Sequence, residues 1–312
     1  MNTKITVILS LMFLFISSSI FAETIILKSG KTVEGKILEK TDKYIKLDID
    51  DISLTYYFDD LVSIDGKAAD FLSSKEPADD KNASLSQKEN ILAKEAFNKG
   101  VIKAKNKNYD DAIVEFDKAI EIDSVYSDAY CYRGFVYGKK GIITSAMLDL
   151  NKAIELNPKY AQAYCFRGLM NSLQGNSEYA ISDFTKAIEI NPNYVEAYQS
   201  RGIAYSGKSD FAQAIMDLNK AIELNPDNFI LYSNRGIAHA GKGNDDQALS
   251  DFNKSIEINP AYATVYNRRG ILYTSMRDYD RAWNDMHKAE ELGYKLEPEF
   301  IEKLKRLSGR DK

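Results

Sequence analysis

The second part of the chain alternates apolar and polar residues with the spacing of an α-helix. Tyr130, Gly134 and Tyr137 are four and then three residues apart, so they share one face of a helix. The same spacing returns further on at Ala146, Leu150 and Ala153. The pattern therefore predicts two successive amphipathic helices.

This pair of helices recurs along the chain with a fixed period. Glycine returns every 34 residues, at positions 100, 134, 168, 202, 236 and 270, and proline follows the same step at positions 158, 192, 226 and 260. Glycine within a helix costs roughly 0.5–1 kcal/mol relative to alanine, so its return predicts a close approach of two helices. The residue before a proline is driven out of the α region, so each proline predicts the end of a second helix.

The period and its motif resemble the tetratricopeptide repeat. The match rests on the two sets of residues just named and on a closing proline, Pro158 in that copy. The resemblance implies a mainly α fold, a right-handed solenoid of six helical hairpins over residues 91–296, in which neighbours bury each other's apolar faces. The six copies are 93–126, 127–160, 161–194, 195–228, 229–262 and 263–296.

The flanking regions predict further segments. Residues 23–66 contain about five short runs of β-branched and aromatic residues, which predict a small all-β, barrel-like module; the run LKSGKTVEGKILE resembles the opening of Sm-like and SH3-like barrels. Residues 67–90 are rich in Ser, Asp and Lys and predict a flexible linker. Residues 297–312 predict a helix and tail that cap the last repeat through Phe300, Ile301, Leu304 and Leu307.

The first 22 residues have the order of a secretory signal peptide. A positive start, MNTK, precedes the apolar run ITVILSLMFLFI and a small-residue stretch that ends at Ala22. The order predicts cleavage near Ala22, no stable membrane span afterwards, and a periplasmic or secreted protein. The alternative is an uncleaved membrane anchor, because residues 5–22 are uncharged and just long enough to span a bilayer.

Charge and cysteine content exclude several classes of function. The net charge of -5 at pH 7 disfavours a general binder of nucleic acid or anionic membranes, because phosphate binding needs a cationic surface. The two cysteines, Cys131 and Cys165, are too few for a disulfide scaffold or, alone, for a structural zinc site. We predict no cofactor and no metal.

The two cysteines occupy one repeat position in adjacent copies. Equivalent residues on neighbouring helices stand about 8–10 Å apart, whereas a disulfide needs Cα atoms within about 7 Å. The spacing predicts two free thiols, and the resemblance places them on the concave face of the solenoid.

A basic residue before each repeat glycine is matched by an acid sixteen residues later. The two residues flank the apolar stripes of their helices, so they can meet across the hairpin. The alternative is a row of arginines for an anionic partner, which the acids would neutralise. The pattern predicts five structural ion pairs: Arg133–Asp149, Arg167–Asp183, Arg201–Asp217, Arg235–Asp251 and Arg269–Asp285.

The resemblance implies that the first helices line a concave face and that partners bind the side turned away from the hairpin. One position there is always large and apolar: Phe135, Leu169, Ile203, Ile237 and Ile271. These residues either pack between neighbouring first helices or form an apolar floor for a peptide. The other residues assigned to this face are Asp128, Cys131, Gln162, Cys165, Ser172, Glu196, Gln199, Ser206, Ile230, Ser233, Thr264 and Asn267.

The sequence contains no pattern typical of a catalytic site. The two histidines, His239 and His287, occupy unlike repeat positions, and the repeat glycines lie inside helices and not in a phosphate loop. The chain is therefore predicted to be a non-enzymatic, exported adaptor that binds a protein or peptide in the concave groove.

Two other functions are alternatives to the adaptor. In one, the chain is an envelope-assembly factor whose β module recognises a glycan or another envelope polymer. RNA binding, which the Sm-like resemblance would imply, conflicts with the leader and the acidic charge. The identity of the partner, the pathway and self-association of the solenoid stay open.

Overall fold

The structure, a computed structural model, describes part of the chain. It covers the backbone of residues 23–27, 32–40, 44–49, 52–57, 61–64, 67–68 and 81–310, and side chains from residue 89 to residue 310. The predicted signal peptide, residues 1–22, lies outside the described residues. The chain divides into two compact units, Met1–Leu85 and Ser86–Lys312.

Within its described residues, the first unit contains an antiparallel sheet of six strands. The strand order β4-β3-β2-β1-β5-β6 places β1 between β2 and β5, with Ile25 opposite Val33 and Ile64. The short β6 lies in the predicted linker, and the likeness to Sm-like and SH3-like barrels stays a prediction. The strands are β1 (Glu23–Leu27), β2 (Thr32–Lys40), β3 (Tyr44–Ile49), β4 (Ile52–Tyr57), β5 (Leu61–Ile64) and β6 (Lys67–Ala68).

From residue 81 to residue 310 the structure describes thirteen helices. The odd-numbered helices α1 to α11 are the first helices of six hairpins, the even-numbered helices α2 to α12 are the second helices, and α13 follows the last hairpin. The helices are α1 (Lys81–Lys105), α2 (Tyr109–Ile122), α3 (Ser127–Lys139), α4 (Ile143–Leu156), α5 (Ala161–Leu173), α6 (Ser177–Ile190), α7 (Val195–Gly207), α8 (Phe211–Leu224), α9 (Phe229–Gly241), α10 (Asp245–Ile258), α11 (Ala263–Ser275), α12 (Tyr279–Glu291) and α13 (Pro298–Ser308).

The helical array begins earlier than the sequence predicts. Helix α1 starts at Lys81, so residues 81–90, which the sequence predicts as linker, are helical. The stretch KNASLSQKEN contains no glycine or proline, but the apolar periodicity that reveals a helix begins only after it. A polar helical extension is therefore easily mistaken for a linker.

The second helices end where the prolines predict. Asn157 has φ -134° and ψ 90°, the extended conformation that Pro158 demands of the residue before it. The turn between the two helices of a hairpin needs one residue with positive φ. Glycine fills that place at Gly141, Gly175 and Gly243, whereas Lys107, Ser209 and Arg277 fill it at φ values of 60–64°.

The core of the array alternates between two kinds of hairpin. A Cβ added to Gly168 would lie 2.7 Å from the Phe184 ring, and one added to Gly202 would lie 3.0 Å from Leu218. The repeat glycine therefore allows the close helix approach that the sequence predicts. The second-helix residue that meets it is buried in every copy and reads Phe116, Leu150, Phe184, Leu218, Phe252 and Met286.

The first helix compensates for this change in side-chain volume. Three residues after the glycine, a tyrosine accompanies each smaller second-helix residue: Tyr137 packs against the cluster of Leu150, and Tyr205 against that of Leu218. Where phenylalanine occupies the second helix, Lys103, Asn171 or His239 replaces the tyrosine. Close packing requires such matched volumes, so successive hairpins alternate between two packing arrangements.

Helix α13 covers the end of the array. Leu304 is fully buried in a cluster with Tyr273, Trp283 and Met286, against which Phe300 and Ile301 also pack. The indole Nε1 of Trp283 donates a hydrogen bond to Ser308 Oγ at 3.1 Å. The fourth residue of the predicted stripe, Leu307, is 43% exposed. The described helix thus shields the apolar edge of the last repeat.

Candidate functional site

All five predicted arginine–aspartate pairs are in contact. Each arginine binds its aspartate from Nε at 2.8–3.0 Å and from Nη2 at 2.6–2.7 Å. Arg167 Nε also donates to the second oxygen of Asp183 at 3.2 Å. The aspartates are buried, with 5–6% of each residue exposed. The hydrogen bonds to Asp217 raise the pKa of Arg201 above its ordinary value. The paired geometry fixes the two helices of a hairpin in register.

Each of these arginines has at least two further contacts that the sequence does not predict. Arg201 Nη1 donates to Thr185 Oγ1 at 2.9 Å, on the second helix of the preceding repeat. Its guanidinium also lies over the Tyr198 ring, 5.8 Å from the centroid, within the range of a cation–π contact. The corresponding acceptors in the other copies are Asp117, Asn151, Asn219 and Asn253. The row of arginines is therefore part of the architecture.

The first-helix face is defined here as the side of α3, α5, α7, α9 and α11 turned away from their second helices. The structure corrects three residues predicted there: Cys131, Cys165 and Ser233 are only 0–1% exposed. Cys131 lies in a core cluster with Ala163 of the next repeat. A short side chain at this position is covered by the neighbouring first helix, so the two thiols are free but not on the surface.

Burial also changes the chemistry of the two thiols. It raises the pKa of Cys165 to about 12, and it raises the pKa of Cys131 well above its ordinary value. A thiol that stays protonated is a poor nucleophile. The two cysteines are therefore inert core residues in the folded chain.

The remaining predicted residues lie at the surface or partly beneath it. Gln162 donates a hydrogen bond to Tyr132 Oη at 3.3 Å, and Asn267 donates to Tyr294 Oη at 3.2 Å. Ser172, Glu196, Ile203 and Ile271 are exposed. The partly buried ones are Asp128, Phe135, Gln162, Leu169, Gln199, Ser206, Ile230, Ile237, Thr264 and Asn267.

The row of large apolar residues on this face divides into two kinds. Leu169 and Ile237 pack against core clusters, as expected for residues between neighbouring first helices. Ile203 and Ile271 are 48% and 44% exposed. Phe135 stacks on Phe166 with a centroid distance of 4.4 Å. The row thus contains both packed and exposed residues.

Sequence reasoning missed a second row on the same face. It occupies the position after Cys131 and, in successive repeats, reads Tyr132, Phe166, Ser200, Asn234 and Arg268. Each member lies one helical turn before a residue of the apolar row, and this spacing of three residues could have revealed it. The face is therefore aromatic in the second and third repeats and polar from the fourth repeat onward.

Arg268 differs from the arginines of the ion pairs. Its Nη1 donates to Ser233 Oγ at 2.8 Å and to Asn234 Oδ1 at 3.3 Å. None of the ion pairs within the described residues includes Arg268. A guanidinium carries five N–H donors, so this partly buried cation keeps donors for an external group.

The two histidines of the array lie beside other side chains of the structure. His239 Nε2 lies 4.0 Å from Asp251 Oδ2, and burial lowers the pKa of His239 below its ordinary value. His287 is exposed, its ring 5.6 Å from that of Trp283.

Among the residues described, no group of three His, Cys, Asp or Glu residues is placed to hold a metal ion. None of the described helices combines the length and apolar content needed to cross a membrane.

Repeat models match most of this array. The model described as "TPR repeat" matches residues 100–141 and 207–243. Models described as "Tetratricopeptide repeat" match residues 127–160, 161–194, 184–216 and 230–262. Together the matches cover residues 100–262 without a gap, more than half of the 312 residues. A comparison with curated proteins gives no match.

Solved structures share the fold. A tetratricopeptide repeat protein from Parabacteroides merdae is 25% identical, with a TM-score of 0.54 over 74% of this chain and 90% of its own. A chain of the APC/C hetero-tetramer Cut9–Hcn1 is 18% identical, with a TM-score of 0.62 over 73% of this chain and 46% of its own. PilF of Pseudomonas aeruginosa is 20% identical, with a TM-score of 0.53 over 60% of this chain and 86% of its own. With its six hairpins and these matches, the chain belongs to the tetratricopeptide-repeat family.

Proposed function

We propose that the chain is an exported, non-enzymatic adaptor that binds a protein or peptide on its first-helix face. The observation that carries the proposal is the exposure of Ile203 and Ile271, at 48% and 44%. Equivalent residues of the alternate repeats, Leu169 and Ile237, pack against the core. The two exposed side chains therefore offer apolar contact area to a partner.

The family supports this proposal. Tetratricopeptide-repeat proteins generally act as protein-interaction adaptors. Two kinds of side chain predicted for this array have structural roles: each ion-pair arginine binds its aspartate, and both thiols are buried. A partner would therefore bind reversibly, through the side chains that are exposed at the surface.

Site-specific photo-cross-linking in cells tests the binding face. A benzophenone amino acid replaces Ile203 in one variant and Leu148 in the control. Leu148 is 67% exposed but lies on the second helix α4. We expect protein adducts from position 203 and none from position 148. Adducts that form equally at both positions, or only at Leu148, would show that the first-helix face is not the binding surface.

Export is the second part of the proposal. It is supported by the order of charged, apolar and small residues in residues 1–22. Amino-terminal sequencing of the chain from an envelope fraction should begin at Glu23, directly after Ala22. A membrane-bound chain that keeps Met1 would indicate the uncleaved anchor, and a cytosolic chain that keeps Met1 would contradict export.

A further inference from the structure

Strand β4 lies at an edge of the antiparallel sheet in the first unit. Among the described residues its only neighbouring strand is β3, so one side of its backbone has no strand partner there. Edge strands of natural proteins are usually kept from pairing by shortness, a bulge, a proline or an inserted lysine. The opposite edge, β6, has only two residues. Strand β4 has six, reads ISLTYY and pairs with β3 without a register shift.

The register shows which backbone groups of β4 face outward. Ile49 pairs with Ile52 across a connection of two residues, and the pair that closes such a hairpin is hydrogen-bonded. The direction of the backbone hydrogen bonds alternates from residue to residue along an antiparallel strand. The N–H and C=O groups of Ser53, Thr55 and Tyr57 therefore point away from β3. A further strand can pair with these groups.

The pattern of β4 also restricts the side chains of such a strand. Its even-numbered residues are apolar and share a face with apolar residues of β3, in the pairs Ile52–Ile49, Leu54–Leu47 and Tyr56–Ile45. A strand added beside β4 continues this face with every second residue, so we expect apolar residues at alternate positions. Six residues span about 20 Å and match the length of β4.

Acidic residues flank β4 at both ends of its sequence. Asp50 and Asp51 precede it, Asp59 and Asp60 follow soon after it, and residues 47–66 contain no lysine or arginine. Two copies of β4 that paired in either direction would bring these acids beside one another, and facing like charges are destabilising. A segment with lysine or arginine at each end would meet opposite charges. The flanks therefore favour a basic partner over a second copy of the chain.

We propose that β4 binds an extended segment of a partner protein by strand addition. The segment has about six residues, apolar at alternate positions, with lysine or arginine at both ends. This site lies in the first unit, whereas the first-helix face belongs to the second. The inference therefore goes beyond the proposed function and gives the chain a second kind of binding surface.

A fluorescein-labelled peptide, KKVTITVTKK, tests the proposal by anisotropy with the purified full chain. We expect saturable binding. The peptide KKVVITTTKK has the same composition without the alternation, and EEVTITVTEE has acidic ends. Each should bind at least tenfold more weakly. Equal affinity for the first two peptides would contradict the alternation, and equal affinity for the first and third would contradict the charge complementarity.

Backbone methylation of the first peptide tests strand addition directly. In an added strand, only every second N–H faces β4. One peptide carries N-methyl groups on Val, Ile and Val, and the other carries them on the three Thr residues. One of the two should lose at least tenfold in affinity and the other less than threefold. Equal effects of the two methylations would overturn strand addition.

Matched variants of the full chain locate the site. Thr55→Pro removes one outward N–H at an edge position, where proline is tolerated, and should weaken binding at least tenfold. Thr55→Val keeps the N–H and should bind like the unaltered chain. The double variants Asp50→Asn with Asp51→Asn and Asp59→Asn with Asp60→Asn should each weaken binding at least threefold. Asp65→Asn, between β5 and β6, should have no effect.

Three results would overturn the inference. The first is the absence of binding. The second is binding that resists Thr55→Pro but is lost in Ile203→Ser, which would place the peptide on the first-helix face. The third is a dimer of the chain, seen by sedimentation, that Thr55→Pro dissociates, because a second copy would then occupy β4. The adaptor function is tested separately by the adducts from position 203, so the two can fail independently.

Discussion

Arg201 and Asp217 are sixteen residues apart in sequence and are joined by two parallel hydrogen bonds of 2.8 and 2.7 Å. The pair connects α7 to α8, and the third contact of Arg201, with Thr185, ties both to α6. One side chain thus fixes three helices, and the same arrangement returns in the neighbouring repeats. Because each charge is largely removed from water, its partner matters more than the partner of a surface charge.

We therefore expect Asp217→Ala to destabilise the array by roughly 2–4 kcal/mol, because it leaves Arg201 partly buried without its carboxylate. The double variant, which also carries Arg201→Ala, should be more stable than Asp217→Ala alone. Urea midpoints measure both effects. The exposed pair Lys220–Glu223 is the control, since its removal should change the stability by less than about 1 kcal/mol. A double variant clearly less stable than Asp217→Ala would show that the pair is not what stabilises this site.

The repeat glycines provide a second prediction. A Cβ at position 168 would lie 2.7 Å from the buried Phe184 ring, whereas one at position 207 meets nothing within 4 Å. Gly168→Ala should therefore destabilise the chain by about 1–3 kcal/mol through overpacking. Gly207→Ala should be neutral or stabilise it by up to about 0.5 kcal/mol, because alanine favours the helix. Thermal unfolding compares the two, and equal effects would contradict the close approach at Gly168.

Much of this hairpin architecture is predictable from spacing alone. The pairing of Arg201 with Asp217 follows because both residues flank an apolar stripe and the hairpin turn fixes which flanks meet. The exposure of Ile203 is different, since it depends on what the next repeat places over it. The same holds for Cys131, which a neighbouring helix covers. Contacts within one hairpin are encoded locally, whereas contacts between hairpins depend on side-chain volumes in two copies at once.

The alternation between two kinds of hairpin lies within single hairpins, but the 34-residue period does not reveal it. A period of 34 residues compares every copy with its neighbour, so Phe184 and Leu218 look like interchangeable apolar residues. The packing of Tyr205 against the cluster of Leu218 shows that a second-helix residue is matched to its own first helix. The start of α1 is not predictable in this way, because its polar residues give no periodic signal.

His239 gives a prediction about pH. Burial lowers its pKa, with Asp251 opposing the shift and Arg235 and Lys242 adding to it. The unfolded chain therefore binds more protons below about pH 6.5, so this residue reduces stability as the pH falls through that value. His239→Asn copies Asn171, which donates to Asp183 at 2.9 Å. The variant should lose the part of the pH dependence that His239 contributes.

Urea midpoints of the two chains, measured from about pH 8 to about pH 5, check this prediction. The difference in stability between His239→Asn and the unaltered chain should grow as the pH falls. Curves that stay parallel over the whole range would show that His239 does not titrate differently in the folded and unfolded chain. The same substitution at the exposed His287 is made for comparison.

The two thiols should react only slowly with thiol reagents in the folded chain. Both are buried and free, and their raised pKa values keep them protonated. A thiol reagent at about pH 8, near the ordinary thiol pKa of about 8.5, should react slowly with the folded chain and with both cysteines after unfolding without reductant. Ile203→Cys adds an exposed thiol that should react at once. Rapid reaction of the unaltered chain, or none after unfolding, would contradict buried free thiols.

The capping helix supplies the last prediction, and the single tryptophan of the chain reports on it directly. Leu304 is fully buried against Trp283, so Leu304→Ala should cost about 2–5 kcal/mol. Leu307→Ala, on the same helix but at a residue that is 43% exposed, should change the stability by less than about 0.5 kcal/mol. Tryptophan fluorescence should show the end of the array unfolding at lower urea in Leu304→Ala, ahead of the circular dichroism of the whole array. Solenoid repeats contact only their neighbours, so the loss should stay near α12 and α13. Coincident transitions by the two methods would instead mean that the cap controls the stability of the entire array.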